Sequence, residues 1–378
     1  MLDNNTKALL CLIRLGLNNN ITDNDLLRDL NWRVLSQLAI KHGVTAIAVD
    51  GLQCLYESRR FEPETFADKQ LRLKMYARTI AIEQQYQQYY TKMSNLLFFY
   101  QQHGIKVMLL KGYGLSLCYP SPNHRPPGDV DVYHFGCGGE VDECLKKVLN
   151  ITIKQNEDKH STFLYKGLSV ENHAVFVNDE CHPSLHSLEM FFEKDAKNAI
   201  QCSIKNEKGE NILAFIPSVN TNALFIPLHL AEHFVHGEAS LRQICDWYCF
   251  VRIYHSEIDW QIVEEKSKEA GFFKFLCILN AIVIDYLGAD QVWFPQWSCD
   301  NVLKEKVFKE ILSINQPINI SLCGKIQRFF AAAWKFKMVY SHENILMASL
   351  RQAKTYRRVK WNERGVSTVS YTHLTLPT

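Results

Sequence analysis

At 378 residues, the chain is long enough for two or three domains and for a core that needs no disulfide or metal staples. Hydrophobic residues at 47% and charged residues at 22% exclude a mostly disordered or collagen-like chain. With 42 basic against 40 acidic side chains the net charge is +2, so no global field gathers nucleic acid or an anionic membrane, and any polyanion must be gripped locally.

The 12 cysteines are scattered from Cys11 to Cys323 without a Cys-x-x-Cys pair, which reads as reduced thiols. The N-terminus has no basic segment ahead of an apolar run, and the most apolar internal stretch, Phe272 to Leu287, is broken by Lys274, Asn280 and Asp285. Neither a secretion signal nor a membrane span is expected, and the cytoplasm is the expected compartment.

Residues 1–103 read as a helical region. Trp32 to Ala46 carries apolar residues at helical spacing, and the longest helix is expected from about Met75 to His103, with Ile80, Ile82, Tyr86, Tyr90, Met93, Leu97 and Tyr100 along one stripe. His103-Gly104 ends it, and Ile105 to Leu110 follows as a short buried strand.

Residues 104–217 read as a small mixed α/β region. Lys111-Gly112-Tyr113-Gly114 leads through a short helix to a proline-rich loop, Pro120 to Gly128, and Asp129 to Tyr133 forms a second strand. A helix from Val141 to Leu149 and strands at Ser161 to Tyr165, Leu168 to Val177 and Ile212 to Ile216 complete it. Residues 218–365 read as helices again, at Asn222 to His236 with Pro227 as a kink or delay, Leu241 to His255, Asp259 to Ala270, Phe272 to Leu287, and several more to about Arg364. The last residues, 366–378, lack any periodicity with which to dock and resemble a translated sequencing-adapter read-through; they are expected to be a non-native tail.

The strongest chemical signal is the glycine turn after a buried strand, followed by Arg125 and then Gly128-Asp129-Val130-Asp131. Positions i and i+2 of a strand share a face, so Asp129 and Asp131 present two carboxylates together, both expected to stand exposed. Such a pair suits a hard divalent cation that keeps water and substrate phosphates as its other ligands. The turn lets backbone N–H groups approach phosphate oxygens, while Lys111 and Arg125 add local positive charge. Asp-x-Asp spacing alone is weak, because Asp23-Asn24-Asp25 shares it where helix capping suffices.

These residues, Leu109-Leu110-Lys111-Gly112, Tyr119-Pro120, Arg125-Pro126-Pro127-Gly128-Asp129-Val130-Asp131 and the strand from Leu168 to His173, resemble the uncharacterised nucleotidyltransferases of the polymerase-β-like superfamily. Weaker likeness lies in Leu38 to Leu52, His229 to Gly237 and Leu241 to Val251. The resemblance implies an α+β fold, a small mixed sheet flanked by N-terminal and C-terminal helical regions. It implies a metal site of Asp129, Asp131 and Glu171, the last as third ligand or base, holding Mg²⁺ or Mn²⁺. It also implies a nucleotide held by Lys111, Gly112, Tyr113, Gly114 and Arg125, an NTP as substrate, and transfer of its NMP group to the hydroxyl of a small molecule, sugar or protein. Tyr113 stands where the superfamily has a small or hydroxyl residue, and Tyr133-His134 where it has an aliphatic strand.

Other readings stay open beside this one. Glu171 and His173 share a face opposite Val170, and a charged residue in mid-strand also fits a solvated sheet face; His173 more simply orients a neighbour. His229-Leu230-Ala231-Glu232-His233 fits the inverted zinc-peptidase pattern H-x-x-E-H, without a recognisable further ligand. His233, Arg242 and Asp246 either line an acceptor cleft or serve packing, Arg242 and Asp246 as an i,i+4 surface pair. The basic residues from Arg351 to Arg364 read as a solvated helix face. A catalytically silent binding protein of the same fold and an Asp-x-Asp glycosyltransferase are the remaining alternatives; the latter needs βα units ahead of the motif.

Overall fold

The structure, a computed structural model, describes residues 2–17, 30–58, 69–156, 159–313, 333–351 and 354–355. Asp23 to Asp25 and the whole of 366–378 lie outside these, as do 314–332 and most of the basic segment after Arg351.

Among the described residues, four helices precede any strand: α1 (Asn4–Gly16), α2 (Trp32–Lys41), α3 (Thr45–Glu57) and α4 (Lys69–Gln102). That order departs from the βα units a glycosyltransferase would place ahead of its Asp-x-Asp. Asp3 caps α1, its carboxylate accepting from the Thr6 N–H at 3.0 Å. Helix α4 is 34 residues long, about 51 Å at 1.5 Å per residue, and starts ahead of the expected Met75.

The sheet is built from β1 (Met108–Leu109), β2 (Val130–Tyr133), β3 (Lys154–Asn156), β4 (His160–Tyr165), β5 (Leu168–His173), β6 (Ile200–Lys205) and β7 (Asn211–Ile216). The spatial order is β3-β4-β5-β2-β1-β7-β6. Strand β2 pairs parallel with β5 and antiparallel with β1, while β1 pairs parallel with β7. Three elements have no counterpart in the sequence reading: the edge strands β3 and β6, and α7 (His186–Asp195) between β5 and β6. In β6 only Ile204 is buried, so the strand carries no apolar run to announce it. Strand β1 is shorter than the apolar stretch that predicts it, because only Met108 and Leu109 find ladder partners on β2.

Alternation along the central strands sorts the two faces. Leu109, Val130, Val132, Phe163 and Val170 pack with Tyr89, Met93, Leu97 and Tyr100 of α4 and with Val141 and Leu145 of α6 (Gly138–Leu149). The opposite face turns Met108, Leu110 and Tyr133 into a second core. That core unites α1 to α3 with α8 (Val219–His236), α9 (Leu241–Tyr254), α10 (Trp260–Ala270) and α11 (Phe273–Leu287). The N-terminal and C-terminal helices therefore share one core, and the apolar packing cuts across the boundaries at 103 and 217. Helix α8 starts at a Ser218 cap, whose hydroxyl accepts from Thr221 N–H, and runs through Pro227 without delay. Beyond α12 (Asn301–Ser313), helix continues in described parts of 333–351. No described helix is long and apolar enough to cross a membrane.

The proline loop between α5 (Tyr113–Ser116) and β2 is pinned to the helical layer through His124. Its Nδ1 lies 2.7 Å from Asp50 of α3 and its Nε2 2.8 Å from Glu83 of α4. The hydrogen bond with Asp50, reinforced by Glu83 and opposed by burial, raises the imidazole pKa above 6.5. A group whose folded pKa lies above its unfolded value stabilises the fold at pH below the unfolded value, and that contribution fades as pH rises through the folded one. Melting curves of wild type and His124→Asn should differ most near about pH 6 and converge toward about pH 9. A difference independent of pH would contradict this clamp.

Candidate functional site

Strand β1 delivers Lys111 and Gly112 to the mouth of a cleft of about 440 Å³, walled by the polar face of the sheet and by α8. Gly112 adopts φ +57, and a Cβ there would stand 2.8 Å from the Tyr89 hydroxyl oxygen. Both the dihedral and the space require glycine. Helix α5 begins at the next residue and carries Tyr113 away from the cleft. The Tyr113 ring packs into the core behind the sheet, 5.7 Å from the ring of Tyr90. A Cβ on Gly114 would touch Ile216 of β7 at 3.1 Å, and its N–H donates back to Lys111 O. Of the four turn residues expected to hold a nucleotide, Lys111 and Gly112 line the cleft, while Tyr113 and Gly114 do not.

Across the cleft mouth, Asp129 stands exposed just ahead of β2, and Asp131 lies within the strand. Asp131 is only 8% exposed, which corrects the expectation that both carboxylates are open to solvent. The parallel register sets Asp131 opposite Glu171 and Tyr133 opposite His173. The three carboxylates and His173 thereby share one face of the sheet. Lys111 Nζ lies 2.8 Å from Asp131 Oδ1, and His173 Nε2 lies 3.1 Å from the same oxygen and 3.5 Å from Glu171 Oε2. His173 thus bridges two carboxylates. From the neighbouring strand β4, His160 Nε2 approaches Glu171 Oε1 at 3.7 Å.

This crowding divides the carboxylates electrostatically. Withdrawal from water in the cleft raises the Asp129 pKa, and the negative charges of Glu171 and Asp131 raise it further. Burial would raise Asp131 too, but Lys111 and His173 outweigh it and hold the carboxyl well below the usual range. Glu171 is held low against its own burial chiefly by the hydrogen bond with His173. Burial pushes His160 down to about 4. Three carboxylates on one face beside a cleft suit a hard cation, and their mutual repulsion is the cost such an ion would relieve. Among the described residues, His160, Glu171 and His173 also bring three potential ligand atoms within 4.8 Å of one another.

His160 is the site residue that sequence reading missed. The signal for it is the two-residue turn Lys166-Gly167, with φ +50 and +77, which fixes Tyr165 opposite Leu168 and therefore His160 opposite His173.

Arg125 reaches the cleft wall but is not free. Its Nε and Nη2 donate to Asp246 Oδ1 and Oδ2 at 2.7 and 2.9 Å, and the Tyr119 hydroxyl donates to Asp246 Oδ1 at 2.6 Å. Asp246 belongs to this buried pair and not to an i,i+4 surface pair with Arg242. Arg242 lines the cleft, its Nη1 donating to Pro126 O at 3.3 Å. Burial and the neighbouring Arg125 charge lower its pKa.

On α8, His229, Glu232, His233 and His236 all line the cleft. His229 Nε2 and His233 Nε2 lie 3.1 Å apart, His233 Nδ1 is 3.4 Å from Glu238, and Glu232 is 3.7 Å from Lys159 Nζ. The glutamate of the H-x-x-E-H pattern is thus turned to a lysine.

A sequence model described as an uncharacterised nucleotidyltransferase matches residues 28–288, from ahead of α2 to the C-cap of α11. The chain belongs to this family. No curated protein matches it. Among solved structures, an antigenic nucleotidyltransferase-like protein from Paracoccidioides brasiliensis is similar over 53% of this chain and 93% of its own, at 13% identity and a TM-score of 0.34. In this nucleotidyltransferase family member the match takes in the whole sheet and the cleft-lining helix α8.

Arg125 and Asp246 are 7% and 6% exposed at their side chains. Removing one partner leaves a buried charge uncompensated, so Asp246→Ala should destabilise the protein by about 3 to 5 kcal/mol in urea unfolding. A loss below about 1 kcal/mol, the range of surface pairs, would show that the pair does not hold the loop.

Proposed function

We propose that the cleft transfers a nucleotidyl group from an NTP to an acceptor hydroxyl. The observation that carries this reading is that Asp131 and Glu171 are register partners and, with Asp129 just ahead of β2, line one cleft beside the Gly112 turn. Asp129, Asp131 and Glu171 would hold Mg²⁺ or Mn²⁺, and the bound ion would offset triphosphate charge and favour in-line displacement. Lys111, 2.8 Å from Asp131, is placed to exchange that carboxylate for a phosphate oxygen. Gly112 lets the backbone come close to the phosphates because no Cβ intervenes.

In the transfer, the acceptor oxygen forms a bond to the α-phosphorus as the bond to the β-phosphate bridging oxygen breaks, and pyrophosphate leaves. Glu171, held ionised by His173, is the group to take the acceptor's proton. Arg125 acts here as a positioning residue, since its paired guanidinium ties the proline loop, and with it Asp129, to α9. Arg242 and His233 line the part of the cleft left for the acceptor.

Asp129→Asn should fold as the wild type does, because the side chain is exposed, yet abolish NTP-dependent transfer. Asp131→Asn should also cost stability, since Lys111 loses its buried partner. Glu171→Gln should keep most nucleotide affinity while lowering the single-turnover rate by about 10² to 10⁴. A Glu171→Gln rate within about threefold of wild type, far short of a general-base contribution, would contradict this role. A silent nucleotide binder would show affinity without pyrophosphate release in any variant.

A further inference from the structure

We propose that the cleft carries a second cation site, formed by His160, Glu171 and His173, which takes Zn²⁺ or a first-row neighbour in preference to Mg²⁺. It shares Glu171 with the proposed transfer centre and rests on that reading only for the role of its neighbour; its own donors are set by the β4–β5 hairpin.

The hairpin leaves little freedom in the arrangement. His160 and His173 are direct cross-strand partners, and Glu171 is two residues before His173 on the same face. The two imidazole rings stack with centroids 5.2 Å apart and planes 29° apart. Their Nε2 atoms address different oxygens of one carboxylate, His160 toward Oε1 at 3.7 Å and His173 toward Oε2 at 3.5 Å. Asp131 Oδ1 lies 3.1 Å from that same His173 Nε2. An ion at Nε2 would displace that contact, and Asp131 stands close enough to join the ligand set.

Ligand chemistry and size both select the ion. Two imidazole nitrogens with one carboxylate suit zinc and its neighbours, whereas Mg²⁺ prefers oxygen donors and keeps its water. Four ligands at 2.0 to 2.1 Å in a tetrahedron stand about 3.3 Å apart. Six around Mg²⁺ at the same distance stand only about 2.9 Å apart. Each imidazole Nε2 stands 3.5 or 3.7 Å from a different Glu171 oxygen, nearer the tetrahedral spacing than the octahedral one, and with one ligand atom from each residue the set lies within 4.8 Å, so the donors would draw in on binding. All three residues line the cleft, which supplies a route for the ion. A three-ligand set also leaves a coordination position for water or a substrate oxygen.

Helix α8 offers the competing place for such an ion. His229 and His233 are 3.1 Å apart, but Glu232 faces Lys159 and no third ligand joins them among the described residues.

The test is metal binding by the full chain, stripped of metal and free of nucleotide. Zn²⁺ is titrated against a chromophoric chelator, Co²⁺ is followed by its visible absorption, and Mg²⁺ is titrated in competition with Co²⁺. One equivalent of Zn²⁺ should bind at least about 100-fold more tightly than Mg²⁺, with Co²⁺ giving the intense bands of a low-coordinate site. His160→Ala, and His160→Asn as the variant nearer in size, should each weaken Zn²⁺ by about tenfold or more. Asp129→Asn and His233→Ala should leave its affinity unchanged. Absence of stoichiometric Zn²⁺ binding by the wild type would overturn the proposal whatever the variants do. So would binding lost in His233→Ala but kept in His160→Ala, which places the ion on α8, or binding lost in Asp129→Asn, which places it in the carboxylate centre. Failure of NTP transfer would leave these isotherms as they are, so the two readings fail separately.

Discussion

The parallel pairing of β2 with β5 is the constraint on which the cleft depends. It sets Asp131 against Glu171 and brings His173 to the Asp131 oxygen, while the same alternation sends Val130, Val132 and Val170 into the core behind. Apolar burial thus holds the register, and the register holds the charges. A slip of one residue would turn every carboxylate into the apolar layer, so the hydrophobic face under α4 and α6 protects the chemistry of the opposite face.

Charge in the cleft is balanced locally. The chain as a whole is nearly neutral, yet three carboxylates converge, answered by Lys111 at 2.8 Å from Asp131 and by His173 between Asp131 and Glu171. The Arg125–Asp246 pair answers the same need one layer further back, tying the loop before β2 to α9. His124 closes that loop onto α3 and α4. The loop that leads into Asp129 is therefore fastened by an ion pair behind the cleft, a histidine bridge beside it and the Arg242 bond to Pro126 O, which is the preorganisation that positioned carboxylates require.

Much of this was legible in the residues themselves. The glycine turn and the Asp129–Asp131 alternation appear where turn chemistry and periodicity put them, as does the stripe along α4 except for Ile80, which is exposed, and the strand expected from Leu168 to Val177 ends at His173. Other features escaped for physical reasons. Tyr113 reads as part of a phosphate loop, but α5 begins at once and buries its ring. Asp246 reads either as an acceptor-cleft residue or as half of a surface pair with Arg242 four residues away, whereas its partner Arg125 is 121 residues distant and no local pattern reports it. His160 lies in a polar strand whose importance shows only once the Lys166-Gly167 turn pairs it with His173. The edge strand β6 escaped because it buries only Ile204. The packing of α1 to α3 against the C-terminal helices is a long-range contact that segment-by-segment reading does not reach.

The account stands most directly on which bond of the nucleotide is broken. Parallel incubations with NTPs labelled at the α- or the γ-phosphate, with Mg²⁺ and an extract supplying hydroxyl acceptors, measure this. Nucleotidyl transfer predicts α-label in the acceptor product, γ-label in pyrophosphate, and loss of both in Asp129→Asn. Transfer of the γ-label to an acceptor, or α-label transfer that survives Asp129→Asn unchanged, would contradict it.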